Sequence, residues 1–413
     1  MMKLKVIRKL LTIWFLSTGF GTLISQNLNI ARHSYVDEAS HLVSINSKYF
    51  YSEIIYSPYF GDSSNIVGLD DKGKLIFKLR LNFDESTRPV KIIKTLDNCL
   101  MIVGRYSGCD FDFGPANFIL KLDTNGIQKF LVTELPNNKP WPEYLRDGVQ
   151  YPDSSYYLLT DSLILHFSKN GQFISQSSNG LLGSSSMAVT NNGNLMVNGY
   201  DTNFVFNTLE INPSGSQVNR QISGDYGAIT AHPSSGDYYC SSAGNIIKIN
   251  SSLMPVATSF TTIVNNISIS QFFIKNDSIF FTGVNNLSTT PVYGILNMQL
   301  IPLNIIQSYY KKVKPSGITI DNQNRISIIA NASSTVGVKP NFFWPQSFST
   351  AFYRFPITGG FVSAHDIGVE SFSLISAEKN SQGELFINLR VNIKNYGADS
   401  IFNFCLNSES TQN

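Results

Sequence analysis

Asn117-Phe118-Ile119-Leu120-Lys121-Leu122-Asp123-Thr124-Asn125-Gly126 decides the fold of this chain, because the chain repeats its pattern. A short alternating strand runs into a polar four-residue turn. The Asp side chain starts the turn, and Gly supplies the positive φ that reverses the chain. The turn recurs as Asp70-Asp71-Lys72-Gly73, Ser168-Lys169-Asn170-Gly171 and Asn212-Pro213-Ser214-Gly215. Weaker copies are Asn250-Ser251-Ser252-Leu253, Asn297-Met298-Gln299-Leu300 and Pro356-Ile357-Thr358-Gly359. From Gly73 to Gly359 there are 286 residues in six intervals, about 48 each. Strands precede these turns at 65–69, 117–122, 163–167, 208–211, 245–249, 293–296 and 351–355. A second hairpin lies upstream of each, as at 187–198 around Asn191-Asn192-Gly193 and at 318–329.

Four strands joined by tight turns make one antiparallel sheet, and that sheet has two faces to bury. Packing such sheets radially buries both faces and leaves only short edges, which is a β-propeller. The 29 Gly, the period-two patterning and the lack of long helical periodicity agree. The expected fold class is therefore all-β, a β-propeller of four-stranded antiparallel blades, seven or eight in number. An eighth blade is read at 365–413, from strands at 371–377, 384–391 and 400–406. It stops after its third strand, and the segment 27–36 can supply a fourth and close the ring. The 388 residues after position 25, divided by eight, give 48.5. The alternative is seven blades followed by a truncated Ig-like segment. Asn395-Tyr396-Gly397 after an alternating run resembles the start of a CARDB-type module. Both readings stay open, so the expected division is 1–25, 26–364 and 365–413.

Of 413 residues, 42% are hydrophobic and 15% charged, which excludes a highly charged disordered chain and a coiled coil. Residues 1–25 read as a signal peptide: Lys3, Lys5, Arg8 and Lys9 precede an apolar stretch, 10–24, too short and too polar for a membrane anchor. Cleavage after Ser25 leaves Gln26 first, which resembles exported proteins of Bacteroidota. Beyond residue 25, 27 basic residues face 29 acidic ones, a net of −2 against +2 for the whole chain. That balance provides no clustered basic surface for nucleic acid. Export permits disulfides, yet Cys99, Cys109, Cys240 and Cys405 show no CxxC or zinc spacing. They read as isolated buried thiols.

Val103-Gly104-Arg105-Tyr106-Ser107-Gly108, then Asp110-Phe111-Asp112-Phe113-Gly114, then Phe118 to Gly126, resembles the bacterial SBBP-type β-propeller repeat. The units at 185–222 and 226–260 are looser and equally similar to NHL-like repeats. The resemblance implies the propeller fold and an extracytoplasmic setting, and little about ligand. The Trp that often follows the hairpin turn in that family is absent, with Phe130 near its place.

In a four-stranded blade, the loops between strands two and three share a face with the connections between blades. The long segments 106–117, 134–148, 284–292 and 330–350 therefore belong to one face, and the tight turns to the other. Long loops on one face of a repeat protein form its binding surface. Trp141, in Lys139-Pro140-Trp141-Pro142-Glu143-Tyr144, and Trp344, in Lys339-Pro340-Asn341-Phe342-Phe343-Trp344-Pro345, lie in these segments. The candidate ligand-binding residues are Trp141, Tyr144, Phe343 and Trp344: Pro stiffens each loop, and a rigid exposed ring suits sugar stacking or a protein hot spot. The competing reading is that each ring packs inward and pins its loop.

Catalytic signals are thin. His33, His41, His166, His232 and His365 are scattered, and His232 beside Pro233 reads as a solvated turn residue. There is no GxSxG elbow or phosphate loop. Asp110 and Asp112 can contribute to a Ca²⁺ site, though two carboxylates without a third make a weak one. No cofactor is expected. The reading is an exported, non-catalytic binding or surface-interaction protein, secreted, cell-surface or periplasmic. Its expected partner is an extracellular glycan or protein. The alternative is a carbohydrate-active hydrolase or lyase whose carboxylates converge in the funnel.

Overall fold

The structure, a computed structural model, describes residues 38–395 apart from 56–62, 84–85, 108–115, 260–266, 286–289, 308–312, 323–324, 334–347, 357–366, 380–384 and positions 72, 223, 225, 233 and 243. By its internal contacts the chain divides after Thr358. Residues 38–356 form six four-stranded antiparallel sheets and one of three strands. The four-stranded sheets are blade 1 (38–81), blade 2 (86–132), blade 3 (147–178), blade 4 (183–222), blade 5 (229–258) and blade 6 (267–307). The three-stranded closing sheet spans 313–356. In every one the strands pair in chain order. Each sheet touches the next, and the closing sheet touches both blade 6 and blade 1, so the sheets form a ring.

The repeat is where the sequence places it, for the reason given. In blade 2 the Asp123 Oδ1 accepts the amides of Asn125 (2.9 Å) and Ile127 (3.0 Å), and Gly126 takes φ 84°. A Cβ on Gly126 would lie 2.7 Å from the Phe77 ring of blade 1, so this glycine also lets the neighbouring blade approach. Phe130 covers Gly171 of blade 3 in the same way. Phe130 thus makes an inter-blade contact of its own. Blades 5 and 6 keep the turn without glycine. Leu253 and Leu300 adopt φ 62° and 64°, and both are buried in the core. An L residue in this region costs about 1 kcal/mol or more, and burying a leucine returns roughly 1.5–3 kcal/mol.

The blade count corrects the expectation. Four-stranded blades number six among the described residues, not seven or eight. Six of the seven read turns join strands three and four of a blade; the seventh, Pro356-Ile357-Thr358-Gly359, follows the last described strand of the three-stranded closing sheet, and its last three residues lie outside the described residues. Residues 27–36, expected to supply a closing strand, lie outside the described residues, as do 396–413. The described strands of the read eighth blade, Ile367–Lys379 and Leu385–Asn395, pair antiparallel as a sheet of two in the other unit.

The ring closes between the closing sheet and blade 1. Leu42, Tyr49, Tyr51, Val67 and Leu69 of blade 1 form one buried cluster with Ile329. Ser44 Oγ donates to the Ile320 carbonyl at 3.1 Å. The Tyr49 hydroxyl donates to Asp321 Oδ2 at 2.5 Å, and Arg325 Nε donates to the same oxygen at 2.6 Å. Asp321 is fully buried. Burial alone would raise its pKa, but hydrogen bonds from Tyr49 and from the Arg325 amide and guanidinium, with the Arg325 charge, hold it below the ordinary value.

Inner strands line the ring's axis, and five of the seven carry a register shift: Ser40/Val43, Pro89/Lys91, Ser184/Ser186, Ile269/Gln271 and Pro315/Gly317. Bulges of this kind re-aim side chains, and here polar groups reach from one blade to the next. Lys91 Nζ meets Asp147 Oδ1 at 2.5 Å, and Asp147 Oδ2 accepts the Met187 amide at 2.8 Å, joining blades 2, 3 and 4. Asn198 Nδ2 donates to the carbonyls of Tyr226 and Gly227, both at 2.9 Å, joining blades 4 and 5. Gln271 Oε1 accepts the Ile318 amide at 3.0 Å, joining blade 6 to the closing sheet.

Asp321→Asn should therefore destabilise the ring by about 2–3 kcal/mol at neutral pH, the range for losing a charge-assisted buried hydrogen bond. A carboxylate with a depressed folded pKa contributes its stability above the unfolded value of ~3.9 and loses it as pH falls toward the folded value. Denaturant midpoints of the two proteins should converge as the pH is lowered below about 4. A gap that is absent at pH 7, or undiminished in acid, would contradict this role.

Candidate functional site

On the face carrying the strand-two-to-three turns and the inter-blade connections, the longest connection whose residues are all described runs from blade 2 to blade 3. This is the connection 133–146. Trp141 sits at the centre of this segment and is 3% exposed. Its Nε1–H donates to the Thr133 carbonyl at 2.8 Å, and its ring lies 5.9 Å from that of Phe167, beside Leu135 and Leu145. Of the two readings of Trp141 the inward one holds: the indole is no bare exposed ring but packs into the cluster and pins the loop. Phe343, Trp344, Asp110 and Asp112 lie outside the described residues.

The rest of the connection is equally braced. Asn117 in blade 2 donates from Nδ2 to the Glu143 carbonyl (2.8 Å) and accepts the Leu145 amide (2.9 Å). Glu143 accepts the Thr160 hydroxyl at 2.5 Å, the Ser162 amide at 2.7 Å and the Ser162 hydroxyl. Burial would raise the Glu143 pKa, but these donors hold it below the ordinary range. A carboxylate so occupied anchors the loop on the turn of blade 3.

This bracing presents Tyr144 and Arg146 outward. Arg146 is paired with Asp161 through Nε–Oδ1 (2.7 Å) and Nη2–Oδ2 (3.1 Å). That hydrogen bonding, with the Asp161 charge, raises its pKa against the opposing effect of burial. Tyr144 is half-buried, and the Arg105 guanidinium lies 6.0 Å from its ring centre. Arg105 stands directly opposite Arg88 in the blade 2 ladder.

Beyond Arg146, blade 4 supplies an aromatic platform that the sequence reading missed. Phe204 is 77% exposed at the tip of the turn 201–205, with φ 58°. Its ring stacks on Tyr200 (5.7 Å, 24°), and Phe206 meets Tyr200 edge-on (6.1 Å, 84°). Asp201 fixes the turn by accepting the amides of Asn203 and Val205. Leu182 and Val205 are exposed beside these rings. The available signal was Tyr200, Phe204 and Phe206 around an Asp-x-Asn turn, but which rings face water depends on register.

The described histidines, His41, His166 and His232, do not gather into a site, and His33 and His365 lie outside the described residues. His232 is buried, not solvated: Nδ1 accepts the amides of Ser234 (3.2 Å) and Ser235 (3.0 Å), and Nε2 faces Asp277 of blade 6 at 3.1 Å. His166 stacks flat on Tyr157 at 4.3 Å. His41 takes φ 60° in the blade 1 bulge, and burial, then the nearby Lys91 charge, lowers its pKa to about 4. Among the described residues no group of three His, Cys, Asp or Glu can hold a metal ion. Cys99 and Cys240 are free and buried, as expected, and Cys109 and Cys405 lie outside the described residues.

No family model matches the chain, and no curated protein matches it in sequence. Solved structures do. The extracellular domain of a candidate one component system, BT4673 from B. thetaiotaomicron, aligns with a TM-score of 0.50 at 12% identity, over 87% of this chain and 45% of that one. A protein of unknown function from Bacteroides caccae aligns at 0.43 and 12%, over 63% and 94%. The Neurospora crassa Pan2 WD40 domain aligns at 0.44 and 11%, over 66% and 90%. Among the described residues no helix is long and apolar enough to cross a membrane.

If Trp141 pins the connection, Trp141→Ala should cost about 3 kcal/mol, at the low end for removing a buried aromatic. Equilibrium denaturation reads the cost, and an unchanged midpoint would contradict the packing role.

Proposed function

We propose that this chain is an exported, non-catalytic β-propeller of the SBBP/NHL-like kind that binds a glycan on the face of its long connections. The Tyr200–Phe204 stack carries the reading. Two rings held nearly parallel, one of them 77% exposed, form a flat apolar surface of the kind that sugar rings cover. Phe204 holds a left-handed backbone conformation that an aromatic residue rarely adopts. Strain of that kind is commonly kept where a side chain has a task. The platform adjoins a connection braced by Trp141 and Glu143, so little order has to be gained on binding. Tyr144 belongs to this surface, and Phe343 and Trp344 are proposed to extend it. The signal-like composition of residues 1–25 supports a setting in the periplasm, on the cell surface or outside the cell. Residues 365–413 are proposed to be a module of their own, of the Ig-like kind, since the closing sheet already meets blade 1.

A glycan array probed with the chain lacking residues 1–25 should show saturable binding to a defined glycan class. Phe204→Ala should weaken that binding about tenfold, the value of one lost stacking contact of about 1.4 kcal/mol, without lowering the unfolding midpoint. Undiminished binding by Phe204→Ala would contradict the site. Release of shortened or unsaturated sugars from a bound glycan would favour the hydrolase or lyase instead.

A further inference from the structure

The Arg146–Asp161 ion pair stands at the edge of the Tyr200–Phe204 platform, and backbone contacts join the two. The Asp161 carbonyl accepts the Ser184 amide at 3.0 Å, across the boundary of blades 3 and 4. Gly183, the residue before Ser184, is the ladder partner of Tyr200. A Cβ on Gly183 would lie 2.1 Å from the Tyr200 ring and 2.4 Å from its hydroxyl oxygen. The ring therefore rests on the Gly183 backbone with its hydroxyl over that residue, one position from the amide that bonds Asp161. Phe204 stacks on the same ring, so the platform and the ion pair are neighbours on one surface.

As a clamp the pair is redundant. Glu143 already fixes the connection to the same turn through Thr160 and Ser162, and the Arg146 amide donates to the Leu159 carbonyl at 2.7 Å. The two side chains are 38% and 31% exposed, and ion pairs this open add little to stability. What the bracing gives is fixed orientation. Arg146 spends Nε–H and one Nη2–H on Asp161, and its remaining N–H groups meet no other acceptor among the described residues. Each Asp161 oxygen accepts one of these bonds and keeps further lone-pair capacity. Spare donors thus lie beside spare acceptors. A hydroxyl group both donates and accepts, so adjacent hydroxyls match this pattern. A net charge does not: an anion meets Asp161 and a cation meets Arg146, and like-charge contact is a means of rejecting wrong partners.

We propose that the Arg146–Asp161 pair, beside the Tyr200–Phe204 stack, is a subsite for two adjacent hydroxyl groups of an uncharged saccharide. The subsite rests on the glycan reading above and deepens it by naming the class of glycan. The stack covers the apolar face of one sugar ring, and the ion pair bonds hydroxyls at that ring's edge.

Calorimetric titration tests this with β-1,4-linked hexasaccharides of glucose and of mannose, and with the matched hexasaccharides of glucuronate and mannuronate. At least one neutral probe should bind about tenfold or more tighter than its uronate counterpart, with an affinity that salt leaves nearly unchanged. Asp161→Asn keeps the side chain's shape, removes the charge that repels a carboxylate and frees the guanidinium to bind one. It should weaken the neutral probe and tighten the uronate, about threefold each, and so erase the preference. Partial unfolding would weaken both probes and cannot produce that pattern. Tighter binding of the uronates by the unaltered protein overturns the subsite. So does an Asp161→Asn variant that keeps the neutral preference or weakens both probes alike, and so does failure of all four probes to bind. In each of these cases a glycan-array signal that Phe204→Ala diminishes leaves the glycan reading standing, and an array without signal ends both.

Discussion

Buried polar groups that find their partners in the next blade are the constraint on which the rest of this structure depends. A four-stranded sheet leaves backbone groups unpaired along its edges, and apolar contact between sheets is non-directional. Asp147 supplies direction: it holds Lys91 of the blade before and the Met187 amide of the blade after. Asn198, Gln271 and Asp321 do the same at other junctions. Each bond contributes about 1–3 kcal/mol net, but leaving its buried group unpaired costs as much or more. The correct angular spacing is thereby favoured over alternatives that strand these groups. Bulges at Lys91 and Gln271 aim two of these side chains, so a local irregularity serves the global ring.

The ends of the ring meet under the same rule. Asp321 carries a full charge with no exposed surface, tolerable because Tyr49 and Arg325 surround it with donors. One partner comes from the first blade and one from the closing sheet, so the charge is satisfied only when the ring is shut. The axis and the closure are thus polar, whereas the layers between blades are aliphatic and aromatic.

The repeat was legible because a turn is a local object. Asp123 and Gly126 specify their hairpin through bonds and dihedral angles within five residues. Leu253 and Leu300 show the limit, since a buried side chain replaces glycine there and only its packing explains the conformation. The blade count was overread, because the turn at 356–359 follows a sheet with three described strands and so marks a third strand without guaranteeing a fourth. At the site, the residues were found only where burial could be guessed. Trp141 was placed in the right segment with its orientation left open between outward and inward, and His232 was taken for a solvated residue because the Asp277 partner lies 45 positions away in sequence. The Phe204 platform and its junction with the Arg146–Asp161 pair depend on strand register, which one sequence does not display.

A braced connection, an aromatic platform and an ion pair therefore share one face because the ring holds blades 2, 3 and 4 at fixed angles. Native-state hydrogen exchange tests that dependence most directly. The amides of Met187 and Ile318 have acceptors only across a blade boundary, at Asp147 and Gln271. The account predicts that both exchange through global unfolding alone, as slowly as amides at the centre of blade 2. Exchange of these two amides far faster than the sheets around them would show blades that separate freely and would contradict the account.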